Sequence, residues 1–292
     1  FSLLRNDLEN QSLYRPKLYV FLKSKMEKEK SFNFLSKQDE ISNLNQKNYE
    51  ENIDNLKLNL EQLKTEFSSL GVSSQVLNSK DVIELIYNYL NPTRSKEVNA
   101  PKVIDAKKCE TTFDADWMLD QSPREQLVFG DLILELNQFI LDSKAHKIIS
   151  LKTLPEVTFA GQLSNFLRMP FHYDLILSFS IPKQLDEMNR LNQKRKMAHS
   201  LAQTKGQQAS DLESETKLNS TEELIRELLS TGQRIYAMEM LIVLKETADE
   251  DGLKRLSRNS KDVLSRFRSL QGAEGLVETV GAWKIFKNDM IL

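Results

Sequence analysis

The chain has 292 residues, 40% of them hydrophobic and 28% charged, which is enough apolar material for one or two cores and excludes global disorder. Lys plus Arg is 40 and Asp plus Glu is 42, a net charge of -2, so a wholesale nucleic-acid-binding composition is excluded while a local basic patch is not. The one cysteine, Cys109, can form neither an intrachain disulfide nor a cysteine zinc site, which fits a reducing compartment. At roughly 150 residues per domain the length suggests about two domains.

The chain opens on Phe1, and FSLLRNDLENQSLYRP has no basic stretch followed by an apolar one, so no secretory signal is expected. Residues 17–24, KLYVFLKS, carry enough β-formers in alternation to predict a strand. A polar stretch to about Lys47 reads as a loop or a solvated helix start. Then Tyr49, Ile53, Leu56, Leu60, Leu63, Phe67 and Leu70 recur at spacings of four and three, one stripe of a helix. Gly71 follows as its natural stop, because glycine takes a positive φ without a Cβ clash. An amphipathic helix lying on a sheet is the favoured form, a coiled-coil seam the alternative. SSQVL at 73–77 predicts a short strand, and Ser79 or Asp81 is placed to cap a helix over DVIELIYNYL, which must end by Asn91-Pro92.

Residues 93–126 have mixed charge, prolines and no sustained period, and read as a connector docked through Trp117 and Met118. From Leu127 the chain turns β-rich. A strand is expected within 127–141, a turn at Asp142-Ser143, and a second strand over 146–153 that Pro155 stops. A short helix over 161–169 ends at Pro170, and YDLILSFSIP at 173–182 is a strand closed by Pro182. Residues 183–232 read as a long helical hairpin with an exposed tip in KGQQASDLESETKLN. Its second arm starts at Ser220 or Thr221, with Glu223 placed for a capping box if Ser220 caps. RIYAMEMLIVLKE at 234–246 is a strand, 251–273 a helix ended by Gly272, and LVETVGAWKIF at 276–286 a last strand-like segment.

The expected fold is therefore α/β (α+β): two-layer packing, helices on one face of mixed, largely antiparallel sheets, with the helical hairpin projecting. The expected organisation is a first half over 1–92, a connector over 93–126 and a second half over 127–292. No run approaches ~18 consecutive apolar residues, so no membrane-spanning helix is expected.

Chemistry is sparse. The nine glycines are scattered, and neither a P-loop nor G-x-G-x-x-G occurs. G-x-S-x-G is absent too. His146, His172 and His199 are far apart in sequence and lack metal-ligand spacing, so structural roles are favoured. Cys109 lies beside Lys107 and Lys108, which could lower its pKa, but a loop cysteine among lysines is commonly no more than that. No catalytic, cofactor-binding or metal site can be assigned. One charged feature stands out: Arg190, Lys194, Arg195 and Lys196 in RLNQKRK. It reads either as a patch for DNA phosphates or anionic lipid heads, or, the favoured reading, as the solvated arm of the hairpin.

Several strings and the order of elements carry a family likeness. ISLKTLPEVTFAGQLSNFL at 149–167, YDLILSFSIPKQLDEMNRLNQKRKMAHSL at 173–201, a polar tip, then a strand at 234–246 and a helix to Gly272 resemble the amino-terminal region of TraC-type conjugative transfer ATPases of the type IV secretion family. The helix to Gly71 and ELIYNYLNP at 84–92 are similar to the same region. The resemblance implies a longer parent whose motor domain carries the P-loop and binds ATP and Mg, neither of which is expected in these residues. On that view both chain ends are cuts through the parent, and this portion is not an enzyme. It further implies self-association in a ring, small inner-membrane secretion subunits as partners, and a cytoplasmic position peripheral to the inner membrane. The alternative is a stand-alone adaptor that binds a partner through the hairpin 183–232.

Overall fold

In the computed structural model, residues 17–23, 46–101, 127–155, 158–204 and 212–290 are described. Trp117, Met118 and Cys109 lie outside them. The chain divides into two compact units, Phe1–Glu84 with Lys102–Ala106, and Leu85–Pro101 with Lys107–Leu292.

In the first unit the long stripe forms α1, Gln46–Ser69, and Gly71 follows with a φ of 74°. Ile53, Leu56, Leu60, Leu63 and Phe67 are half-buried, and no described residue of α1 is fully buried. Two expected strands do not form. Residues 17–23 and 72–78 have no ladder partner among the described residues. β-propensity describes fit to a pleated neighbour, and without one the same residues stay irregular. Among the described residues of this unit, therefore, no strand pairs to form a sheet beneath α1. The next helix, α2, spans Ser79–Leu90. Its cap is Asn78 rather than Ser79: the Asn78 side chain accepts from the Asp81 N–H at 3.0 Å, and Asp81 accepts in return from the Asn78 N–H at 3.2 Å. This reciprocal pair satisfies two of the donors that a helix start leaves open.

The second unit is built on six strands: β1 Leu132–Glu135, β2 Gln138–Leu141, β3 Lys144–Thr153, β4 Tyr173–Ser180, β5 Ala237–Thr247 and β6 Glu274–Val277. They run in the order β1-β2-β3-β5-β4, with β6 on β3, and every pair is antiparallel. β2 and β3 meet through Asp142 and Ser143, which take φ of 47° and 64°. That is the left-handed geometry a two-residue hairpin turn requires. The helices described in this part of the chain are α3 Ser164–Leu167, α4 Gln184–Thr204, α5 Leu212–Thr231, α6 Glu250–Ser269 and α7 Ala282–Ile285.

The mixed helix-and-sheet fold with a largely antiparallel sheet is as expected, and its central strands are buried on both faces. On β5, Met240, Ile242 and Leu244 join a cluster with Leu256, Val263 and Phe267 of α6. Leu241 and Val243 point the other way, into a cluster with Phe139, Ile148, Ala282 and Phe286. A continuous apolar run such as 240–244 is what a strand covered on both sides needs. The second cover is the C-terminal segment. Residues 276–286 were expected as one strand, but β6 ends at Val277 and α7 then begins. Ala282, Trp283 and Phe286 share one side of a helical turn, so a helix can set them on Phe139 where a strand would split them.

α4 and α5 pack against one another. Residues 205–211 between them lie outside the described set. α5 begins at Leu212, so Ser220 and Thr221 sit inside it rather than at its start. LESETKLN reads as an exposed tip by polarity, yet it is rich in good helix formers. Gln184 ties the base of the pair together. Its amide donates to the Pro182 and Ile235 carbonyls, both at 2.9 Å, and its carbonyl accepts from the Ile235 N–H at 2.8 Å.

Candidate interaction surface

Among the described residues no group of three or more His, Cys, Asp or Glu is placed to hold a metal. None of their helices is long and apolar enough to cross a membrane. A shallow depression on α6 is lined by Asp251, Lys254, Arg255 and Arg258. Lys254 is held by Glu250 at 2.6 Å and Arg255 by Glu246 at 3.2 Å, so two of its cations already have acids.

The three histidines do not form part of any such group. His146 on β3 is buried, and its ring stacks on Phe139 with centroids 4.8 Å apart and planes 2° off parallel. Its Nδ1 lies 2.9 Å from the Lys144 carbonyl. A carbonyl only accepts, so Nδ1 carries the proton. Burial, then the nearby Lys245 ammonium, pushes its pKa down to about 3. It is a neutral core residue near pH 7. His172 is exposed just before β4, and His199 is exposed on α4.

The RLNQKRK residues fall on α4. Arg190 is exposed and donates to Glu187 at 2.9 Å, while Lys194 and Lys196 are exposed and Arg195 is half-buried. At 100° per residue Arg190 and Lys194 share a face, while Arg195 and Lys196 turn away from it to opposite sides.

More apolar surface stands at the two outer strands. β1 is an end of the sheet, and all four of its residues are exposed, Ile133 at 53% and Leu134 at 62%. β4 is the other end. Along it Leu177 pairs with Met240 and Phe179 with Met238, so these four share the α6 face of the sheet. Met240 is buried beneath that face, but Phe179 is 66% exposed, and Ile181 and Tyr236 beyond the ladder are exposed as well. The sheet thus runs past the helix that covers it. LILEL is visible in the sequence as a strand-length apolar run, and nothing in it distinguishes a buried strand from an exposed one.

Residues 40–267 match the family model described as TraC protein, a stretch that takes in α1 through most of α6. The chain belongs to the TraC family of conjugative transfer proteins. No curated protein matches the chain. The family match spans both compact units, so the half-buried stripe of α1 and the two apolar sheet edges both belong to TraC-family sequence.

Proposed function

We propose that this chain is a non-catalytic assembly and docking portion of a TraC-type type IV secretion ATPase. It associates with copies of itself and with small inner-membrane subunits, on the cytoplasmic face of that membrane. The whole protein would use ATP and Mg in a separate motor domain to power pilus assembly and the transfer of DNA or protein. The observation that carries this reading is the exposed apolar surface at both ends of one sheet, in a chain of this family whose sequence has no P-loop. Exposed, contiguous apolar side chains are characteristic of protein-binding surfaces.

The test is an ATPase assay on the purified chain alongside sedimentation. Turnover is expected at the level of the buffer control, with concentration-dependent association. Nucleotide turnover that disappears on substituting a residue of this chain would overturn the reading.

A second reading is a stand-alone adaptor acting through α4 and α5. It is favoured by Leu185, Met197 and Leu229, which stand exposed on these helices. Binding of a partner that survives charge substitutions on β1 and β4 but is lost with Met197→Glu and Leu229→Glu would select it.

A further inference from the structure

The geometry points to head-to-tail pairing between copies of this chain, with β1 of one copy added as a strand to the outer edge of β4 in the next. This rests on the self-association in the reading above and supplies its surface.

The argument begins with the edges. β1 and β4 each have one neighbour among the described strands, so each presents an outer row of backbone donors and acceptors. Natural sheets usually blunt such edges with charge, proline or a bulge. β1 has none of these within Leu132-Ile133-Leu134. Its side chains are exposed on both faces, so a new neighbour would cover Ile133 on one face and Leu132 and Leu134 on the other. At β4 the exposed half of the strand holds Leu177 and Phe179, with Ile181 just beyond. An incoming strand would extend the sheet and lay its own apolar side chains beside these on the face that α6 leaves bare.

Charge favours the same occupant. β1 is preceded by Asp131 and ends in Glu135, both exposed. The exposed end of β4 runs into Lys183, with Arg234 on the strand-entry segment next to it, both exposed. An antiparallel register sets Asp131 toward the Lys183 end. β1 against β1 would oppose acid to acid, Asp131 of one copy to Glu135 of the other. A contact between two different patches is heterologous, and repeated copies then close into a ring or run on as a filament. One such contact is small and weak by itself; closure multiplies it.

The experiment is a mixing test by analytical ultracentrifugation. Ile133→Lys blocks the β1 edge and Phe179→Lys blocks the β4 edge. Both positions are exposed, and far-UV circular dichroism checks the fold, with Leu134→Lys and Ile181→Lys as the replacement pair. The wild type is expected to associate, and each variant alone to be monomeric, weakened ~tenfold or more. An equimolar mixture is expected to give a 1:1 dimer, because each variant keeps the edge the other lacks. If either variant alone associates like the wild type, the edge pairing is overturned while self-association stands. If the wild type stays monomeric up to about 200 μM, self-association of this chain fails with it.

Discussion

The Thr93 N–H donates to the Asp142 carboxylate at 2.6 Å, and the Thr93 hydroxyl donates to the Asp142 backbone carbonyl at 2.5 Å, across 49 positions of sequence. The same carboxylate accepts from the Arg94 N–H at 2.7 Å. Asp142 thus caps the short 3-10 turn Arg94–Lys96 while sitting at positive φ in the β2–β3 turn. Asp142→Ala removes the acceptor and keeps a Cβ in the left-handed region. It is expected to cost about 2–4 kcal/mol. Asp142→Asn keeps an acceptor oxygen and tolerates that φ, so it is expected to cost less than half as much. Urea unfolding of the two variants checks the order.

His146 links stability to pH. Its folded pKa, about 3, lies below the 6.5 of an ordinary histidine. Between those values the unfolded chain binds a proton that the folded chain does not. The neutral ring therefore carries no penalty above pH 6.5, and stability falls as the pH drops toward 3. The expected slope from this group approaches ~1.4 kcal/mol per pH unit. His146→Phe keeps an aromatic ring on Phe139 but does not titrate. It is expected to be less stable near pH 7, since the Lys144 carbonyl loses its donor, and flatter between pH 5 and 6. Chemical denaturation at several pH values compares the slopes.

Gly252 lies in the first turn of α6, where a Cβ would stand 2.1 Å from the Thr247 carbonyl oxygen. That oxygen is backbone and cannot swing aside, so the helix start would have to move off the end of β5. Asp249 caps that turn by accepting from the Gly252 N–H at 2.6 Å, and this bond is the first cause holding its carboxyl below the usual range. Gly252→Ala, favourable in an open helix, is expected here to destabilise by about 1–3 kcal/mol. Thermal melts test the sign.

The α4 cations give a contrasting expectation. Arg190 already has Glu187, and Lys194 and Lys196 point to different sides of the helix. Lys194→Glu with Lys196→Glu is expected to change stability by less than ~0.5 kcal/mol. It is also expected to leave DNA and anionic-vesicle binding at the wild-type level. A fall in either binding, steeper at low salt, would make this face a polyanion site.

Much of the second unit was legible because each boundary has a local cause. Pro155, Pro170 and Pro182 follow the ends of β3, α3 and β4, and Asp142-Ser143 form the turn expected of them. The apolar stripe of α1 and the face of α6 were readable from their spacing. The failures are non-local. Whether KLYVFLKS or SSQVL becomes a strand depends on a neighbour, which neither segment contains in itself. WKIF is strand-like in composition, and the bare face of Phe139 and Leu241 turns it into a helix. Ser220 is a good cap in isolation, but the helix had already started at Leu212. The apolar edges were unreadable for the same reason, because exposure is set by strand order and a run such as LILEL does not encode its own place in a sheet.

β4 and β5 pair from Tyr173 with Leu244 to Ser180 with Ala237. They are therefore the two arms of one hairpin, and α4 and α5 occupy the place of its turn. Gln184 bonds to Pro182 and Ile235 and fastens the neck of this insertion just beyond the last strand pair. The two helices can accordingly be excised and the neck closed with a short glycine-containing turn while the sheet keeps its register. The clusters on both sides of β5 would lose none of their buried members. Conversely, the neck is a natural point at which to graft a different sequence, and anything gripped by the helices would be coupled to the sheet through this single stem.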